Sequence, residues 1–223
     1  MTDDLHIEVS DGVAIIELDD GKANALGFEM FAALDEALDT ASSDAQATVL
    51  LGRAGVLSGG FDLNVIKSGD QSEIEKLVKC GVRILMKLFG HEQPLIVGAT
   101  GHAVALGAFM LLSADYRFGI EGDFKIGLNE TAIGLVLPAF GVELARARLS
   151  PLYLSRSAIA AELFDPAKAV EVGFIDEVVE ASRIKMAALE KAQSLAPLDS
   201  KAYAGNKKAF RGEIIERVLA SIS

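Results

Sequence analysis

Twice in its first half this chain repeats one arrangement: a short apolar run, a glycine-rich break, then an apolar stretch with helical spacing. Ala47–Leu51 leads through Gly52-Arg53-Ala54-Gly55 and Ser58-Gly59-Gly60 to the amphipathic segment Glu73–Phe89, whose stripe is Leu77, Val78, Ile84, Leu85 and Leu88. Pro94 closes that unit, and Leu95–Ala99 leads through Gly101–Leu106 into an apolar helical stretch ending near Ser113. Short apolar runs bounded by glycine read as buried strands. Strands that alternate with helices in this way build an α/β fold of stacked strand–turn–helix units.

The flanks fit that frame. Leu5–Val9 and Val13–Leu18 read as strands joined at Asp11-Gly12, a hairpin signal. Gly27–Thr40 has helical spacing, Asp115–Ile120 reads as a third strand of the buried class, and Phe124–Ile126 as a short further one. From Pro138 onward the pattern is helical, interrupted at Phe174–Val178 and Pro197. There is no exact repeat or low-complexity linker, and the one seam falls between residues 150 and 200. The expected division is a strand–turn–helix core over 1–150 and a helical region over 151–223.

Composition narrows the function classes. A net charge of −11 argues against a nucleic-acid binder, because phosphate contacts need clustered Lys and Arg. It leaves room for a small anionic ligand, which a few local cations and backbone N–H groups can hold. No long uncharged apolar run of the length a membrane span needs is present, and the acidic start Met1-Thr2-Asp3-Asp4 lacks a secretory layout. The one cysteine, Cys80, excludes an internal disulfide or a cysteine-based metal cluster and reads as a small core residue. A cytoplasmic protein with no metal and no membrane association is expected.

Four segments carry a specific resemblance. They are Lys22-Ala23-Asn24-Ala25-Leu26, Leu57-Ser58-Gly59-Gly60-Phe61-Asp62-Leu63, Gly101-His102-Ala103 with Ala105-Leu106-Gly107-Ala108, and Ile126-Gly127-Leu128-Asn129-Glu130-Thr131. In this order they resemble the crotonase (enoyl-CoA hydratase/isomerase) superfamily. The last is especially similar to the matching segment of Δ3,Δ2-enoyl-CoA isomerases. The resemblance implies a crotonase (ClpP-like) ββα spiral, with strands in stacked sheets near right angles and a helical C-terminal region used for oligomerisation. It also implies an acyl-CoA substrate, coenzyme A entering as part of that substrate and not as a separate cofactor, a role in fatty-acid metabolism, and a homotrimer or dimer of trimers.

Carried over residue by residue, the family's oxyanion donors fall on the backbone N–H groups of Gly59 and Leu106. Glycine-rich turns that open helices suit this task, because unpaired N–H groups and the positive helix end point the same way. Of the two glutamates that hold water in the hydratases, the first corresponds to Phe109 and the second to Glu130. One glutamate suffices for a double-bond isomerase, which takes a proton from C2 and returns it to C4. Lys22, Ala25, Ser58, Phe61, Phe109 and Leu135 are the expected substrate contacts. Phe109, Leu135 and Val136 are expected to wall off water and raise the Glu130 pKa.

Blander roles compete. Taken without the resemblance, Glu130 reads as a first-turn helix residue behind an Asn129 cap. His102, Asp62 and Asp115 read as structural, Asp62 as a brace of its turn. Lys207, Lys208 and Arg211 read as a solvated face or a contact to CoA phosphates. Competing functions are a hydratase, another crotonase reaction such as thioester hydrolysis or decarboxylation, and a non-catalytic acyl-CoA binder.

Overall fold

The computed structural model describes residues 4–222. Each turn of the chain places one strand in a large sheet and the next in a small one, then adds a helix on the way back. The first turn is β2 (Val13–Leu18), β3 (Ala25–Leu26) and α1 (Phe28–Asp44), preceded by β1 (Leu5–Ser10). The second is β4 (Ala47–Gly52), β5 (Gly55–Ser58), β6 (Gly60–Phe61), α2 (Leu63–Lys67) and α3 (Gln71–Phe89). The third is β7 (Leu95–Ala99), β8 (Gly101–Val104) and α4 (Leu106–Ser113). The fourth is β9 (Tyr116–Ile120), β10 (Ile126–Gly127) and, past a single 3-10 turn, α5 (Ala139–Arg148).

The large sheet runs β1-β2-β4-β7-β9-β11, with β11 at Glu177–Val179, and the small one β10-β8-β5; β3 pairs with β6. Among the paired strands of the described residues, β1 and β2 run antiparallel, closed by the expected hairpin, and the other pairs are parallel. Strands of the large sheet are added in chain order without reversal. That is a spiral, and it lacks the switch point of a doubly wound sheet.

Every residue of β4 and β7 is buried because both sheet faces are covered. Ile16, Leu18, Leu50 and Val97 pack with α1, α3 and α4. Val13, Ile15, Val49, Leu51 and Ile96 pack with Ile184, Ala188 and Ala192 of α7, which runs Ile184–Leu195. All eight residues of α4 are buried, so it is the central helix. The Asp70 side chain caps α3, accepting from the N–H groups of Ser72 and Glu73.

Beyond residue 150 the chain stays on the same core. Phe164, Val172, Phe174 and Val218 join the cluster that holds α4, and β11 extends the large sheet beside β9. The last long helix, α8 (Ser200–Ala220), follows α6 (Pro166–Val172) and α7. Among the described residues no helix is long and apolar enough to cross a membrane.

Candidate active site

Asn24 is the local organiser. It is fully buried and donates from Nδ2 to the carbonyls of Leu18 (2.9 Å) and Leu57 (3.1 Å), tying the end of β2 to the end of β5. Its Oδ1 accepts from Asp20 N–H. Ser58 Oγ donates to Asn24 O at 2.7 Å and accepts from Gly60 N–H at 3.1 Å. The expected substrate contact Ser58 is therefore a buried turn brace whose hydroxyl is spent inside the protein.

The same pairing corrects the first oxyanion donor. Gly59 N–H donates to Ala23 O at 2.8 Å, so this donor is consumed by the fold. Asp62 N–H donates to Leu26 O at 3.1 Å. In a parallel ladder the groups facing the partner alternate along a strand. With Asp62 N–H facing β3, the intervening Phe61 N–H points away from it. The donor left by this turn is Phe61 N–H.

Gly60 has φ +112, a conformation that L side chains rarely adopt, and a Cβ built there would lie 3.4 Å from Ala105 Cβ and 3.9 Å from Leu106 N. The turn therefore lies against the start of α4. Ala105 enters that helix at φ 52, ψ −119, a strained backbone for a residue with a side chain. Its own N–H donates to Gly127 O, and helical hydrogen bonding begins with Phe109 N–H on Ala105 O. Leu106 N–H is thus one of the helix's unused donors, at the positive end of its dipole. A Cβ on Gly107 would meet Ser58 O at 2.3 Å, so only glycine lets α4 seat this closely on the turn.

Glu130 follows β10. Its backbone carbonyl accepts from Ile133 and Leu135 N–H, while its side chain makes no capping bond; the cap position of the short turn is Glu130 itself, not Asn129. The residue is 9% exposed and its Oε2 is buried with no partner. Burial holds its carboxyl above the usual range, against a smaller opposing pull from the backbone N–H groups of Glu130 and Asn129. Among the described residues it is the one acidic residue in the buried class.

Phe109 is 1% exposed, and its ring packs edge-on to Phe140 of α5 at 5.1 Å. No carboxylate stands at that position. The expected apolar wall is not closed from the other side: Leu135 is 53% and Val136 92% exposed. Gly134, left-handed at φ 77, turns the chain after Glu130 outward, so these side chains lie at the surface. Phe61 is half-buried with its ring against Phe31, Ala25 is half-buried in β3, and Lys22 is exposed.

Asp62 caps α2 through Asn64 N–H, and His102 Nδ1 accepts from Lys125 N–H, both structural roles as expected. Of the basic stretch on α8, Lys208 is solvated as expected, whereas Lys207 and Arg211 are engaged within the protein. Lys207 Nζ and Arg211 bind the two oxygens of Asp115 at 2.7 and 2.9 Å, and Lys207 also donates to the carbonyls of His91 and Gln93.

The enoyl-CoA hydratase/isomerase family model matches residues 8–221. The chain belongs to this family. It is 26% identical over 182 residues to human mitochondrial enoyl-CoA delta isomerase 1, a match covering 80% of this chain and 60% of that protein. The chain thus spans about three fifths of that relative's length. It is also 26% identical over 214 residues to a carnitinyl-CoA dehydratase of Salmonella typhi, covering 95% of this chain and 81% of the dehydratase. The crystal structure of an enoyl-CoA hydratase/isomerase family protein from Pseudomonas syringae superposes with a TM-score of 0.95 at 40% identity, covering 99% of this chain and 95% of that one. The spiral described above is the fold of this family.

Asn24 and the Phe61 N–H are two features of the candidate site that the motifs alone do not mark. Asn24 was visible only as one letter of a motif. No residue type marks a backbone donor, and which N–H of a glycine-rich turn is left over depends on the strand paired with it.

Proposed function

We propose that this chain is an acyl-CoA enzyme that converts 3-enoyl-CoA to 2-trans-enoyl-CoA. The observation that carries the reading is a single buried carboxylate at the candidate site. Glu130 is sequestered and unpaired, while position 109, a glutamate in the hydratases, holds Phe109 packed into the core. Activating water for addition across a double bond uses two carboxylates in that family. Moving a double bond needs only one group that takes a proton and gives it back.

In this scheme the ionised Glu130 removes a proton from C2. The electron pair passes into the thioester, and the charge on its oxygen meets the N–H groups of Phe61 and Leu106. Glu130 then delivers the same proton to C4 as the double bond moves from C3–C4 to C2–C3. No water is consumed. The raised Glu130 pKa strengthens it as the base of the first step.

Incubating the protein with 3-hexenoyl-CoA tests this: conjugated-enoyl absorbance should rise in proportion to the protein added, and the absence of any rise sinks the reading. Similarity to a dehydratase over nearly the whole chain supports a second reading in water chemistry. Loss of conjugated absorbance from crotonyl-CoA would favour it. We also propose a homotrimer or dimer of trimers, supported by exposed Val136, Leu152 and Ile159. A monomer mass by light scattering at micromolar concentration refutes that assembly.

A further inference from the structure

Away from Glu130, α8 roofs a cavity of about 590 Å³ between the end of α3, the start of β9 and α5. Its walls carry three cations, Arg148, Lys207 and Arg211, against a single carboxylate, Asp115. This is notable in a chain whose net charge is −11. Lys207 and Arg211 share Asp115, and Arg211 also donates to Phe89 O. Arg148 has no such partner among the described residues. Its Nη2 donates to Ala114 O at 2.9 Å, and its Nε is buried with nothing to bond. Burial, then the nearby cations Arg117 and Arg211, lower its pKa to about 10, which leaves it charged at neutral pH.

Three guanidinium and ammonium groups against one carboxylate leave the cavity with an excess of positive charge that an anion would balance. The rest of the wall mixes the polar Tyr203 and Asn206 with apolar Phe89, Ile214 and the 84%-exposed Phe210. We propose that this cavity binds a small organic oxyanion, a carboxylate or phosphate carried on an apolar body, with Arg148 as its principal contact. Glu130, Phe61 and Leu106 do not line it, so the cavity is separate from the residues of the proposed acyl-CoA chemistry.

Titration calorimetry on the full chain at low salt tests this with benzoate, phenyl phosphate and neutral benzamide. Saturable one-to-one binding of either anion, weakened by salt and absent for benzamide, supports the site; which anion binds distinguishes carboxylate from phosphate. Arg148→Met should weaken binding about tenfold or more. Phe210→Glu should abolish it by placing a competing carboxylate at the rim, and its exposure leaves folding intact. Lys208→Ala, on α8 but outside the cavity, should change nothing. Four results would overturn the proposal: no saturation, equal binding of benzamide, full affinity in the Arg148 variant, or displacement of the probe by CoA. None involves turnover, so the isomerase reading stands or falls separately.

Discussion

Glu130→Gln separates chemistry from architecture at the candidate site. Glutamine nearly preserves the volume of the side chain but cannot accept the C2 proton. Loss of a general base costs roughly 10²–10⁴ in rate, which is about 3–5 kcal/mol of barrier. The upper part of that range is expected here, because no other acidic residue among those described is buried to take over. The fold should move the other way. A carboxyl whose pKa is raised on folding contributes stability that is complete below its ordinary value of 4.5 and is lost as pH rises through the raised value. At neutral pH the buried carboxylate therefore costs stability, and the amide should melt no lower than wild type, with the gap closing toward pH 4. The wild-type rate should itself fall on the acid side with an apparent pKa above 4.5, since the base must be ionised. The assay is kcat with a 3-enoyl-CoA, a melt at two pH values and a CoA-binding titration. A kcat within about fivefold of wild type, with the melt depressed, would show that Glu130 is a structural residue and that the isomerase scheme is wrong.

Phe109→Glu should not create a hydratase: it removes a buried ring from the α4–α5 contact, at a cost of about 3–5 kcal/mol, and crowds a second carboxylate toward Glu130. Robust hydration of crotonyl-CoA by that variant would contradict the description of this wall. Gly107→Ala must push α4 away from Ser58 O, since its Cβ would otherwise sit 2.3 Å from that atom. Turnover should drop by about tenfold or more while circular dichroism stays near native, because the Leu106 donor shifts relative to the Phe61 donor; unchanged turnover would remove Leu106 from the mechanism. Asp115→Asn strips the partner from buried Lys207 and from Arg211 and should cost about 3–5 kcal/mol in urea unfolding. A loss below about 1 kcal/mol would mean that the cluster does not anchor α8.

Much of the architecture is local and was therefore open to reading along the chain. The β1–β2 hairpin rests on a turn of adjacent residues, and α3 on a stripe that repeats within its own length, capped by Asp70 just ahead of it. Glu130 and Phe109 were legible for a similar reason: their side chains carry the chemistry, so residue type at a motif position already states the number of carboxylates. What sequence spacing could not decide is which groups partners would consume. Gly59 and Phe61 stand two apart in one turn, yet Gly59 N–H is taken by Ala23 and Phe61 N–H is turned away, a choice made by pairing with β3. Lys207 and Arg211 looked solvated because α8 has little apolar face to mark a buried side; Asp115, 92 residues from Lys207, draws them in. Leu135 and Val136 are apolar, yet the fold leaves both exposed just after the left-handed turn at Gly134. Side-chain chemistry and short-range periodicity belong to the sequence. The use of backbone donors and the burial of charge depend on contacts between distant segments, and only the folded chain brings those together.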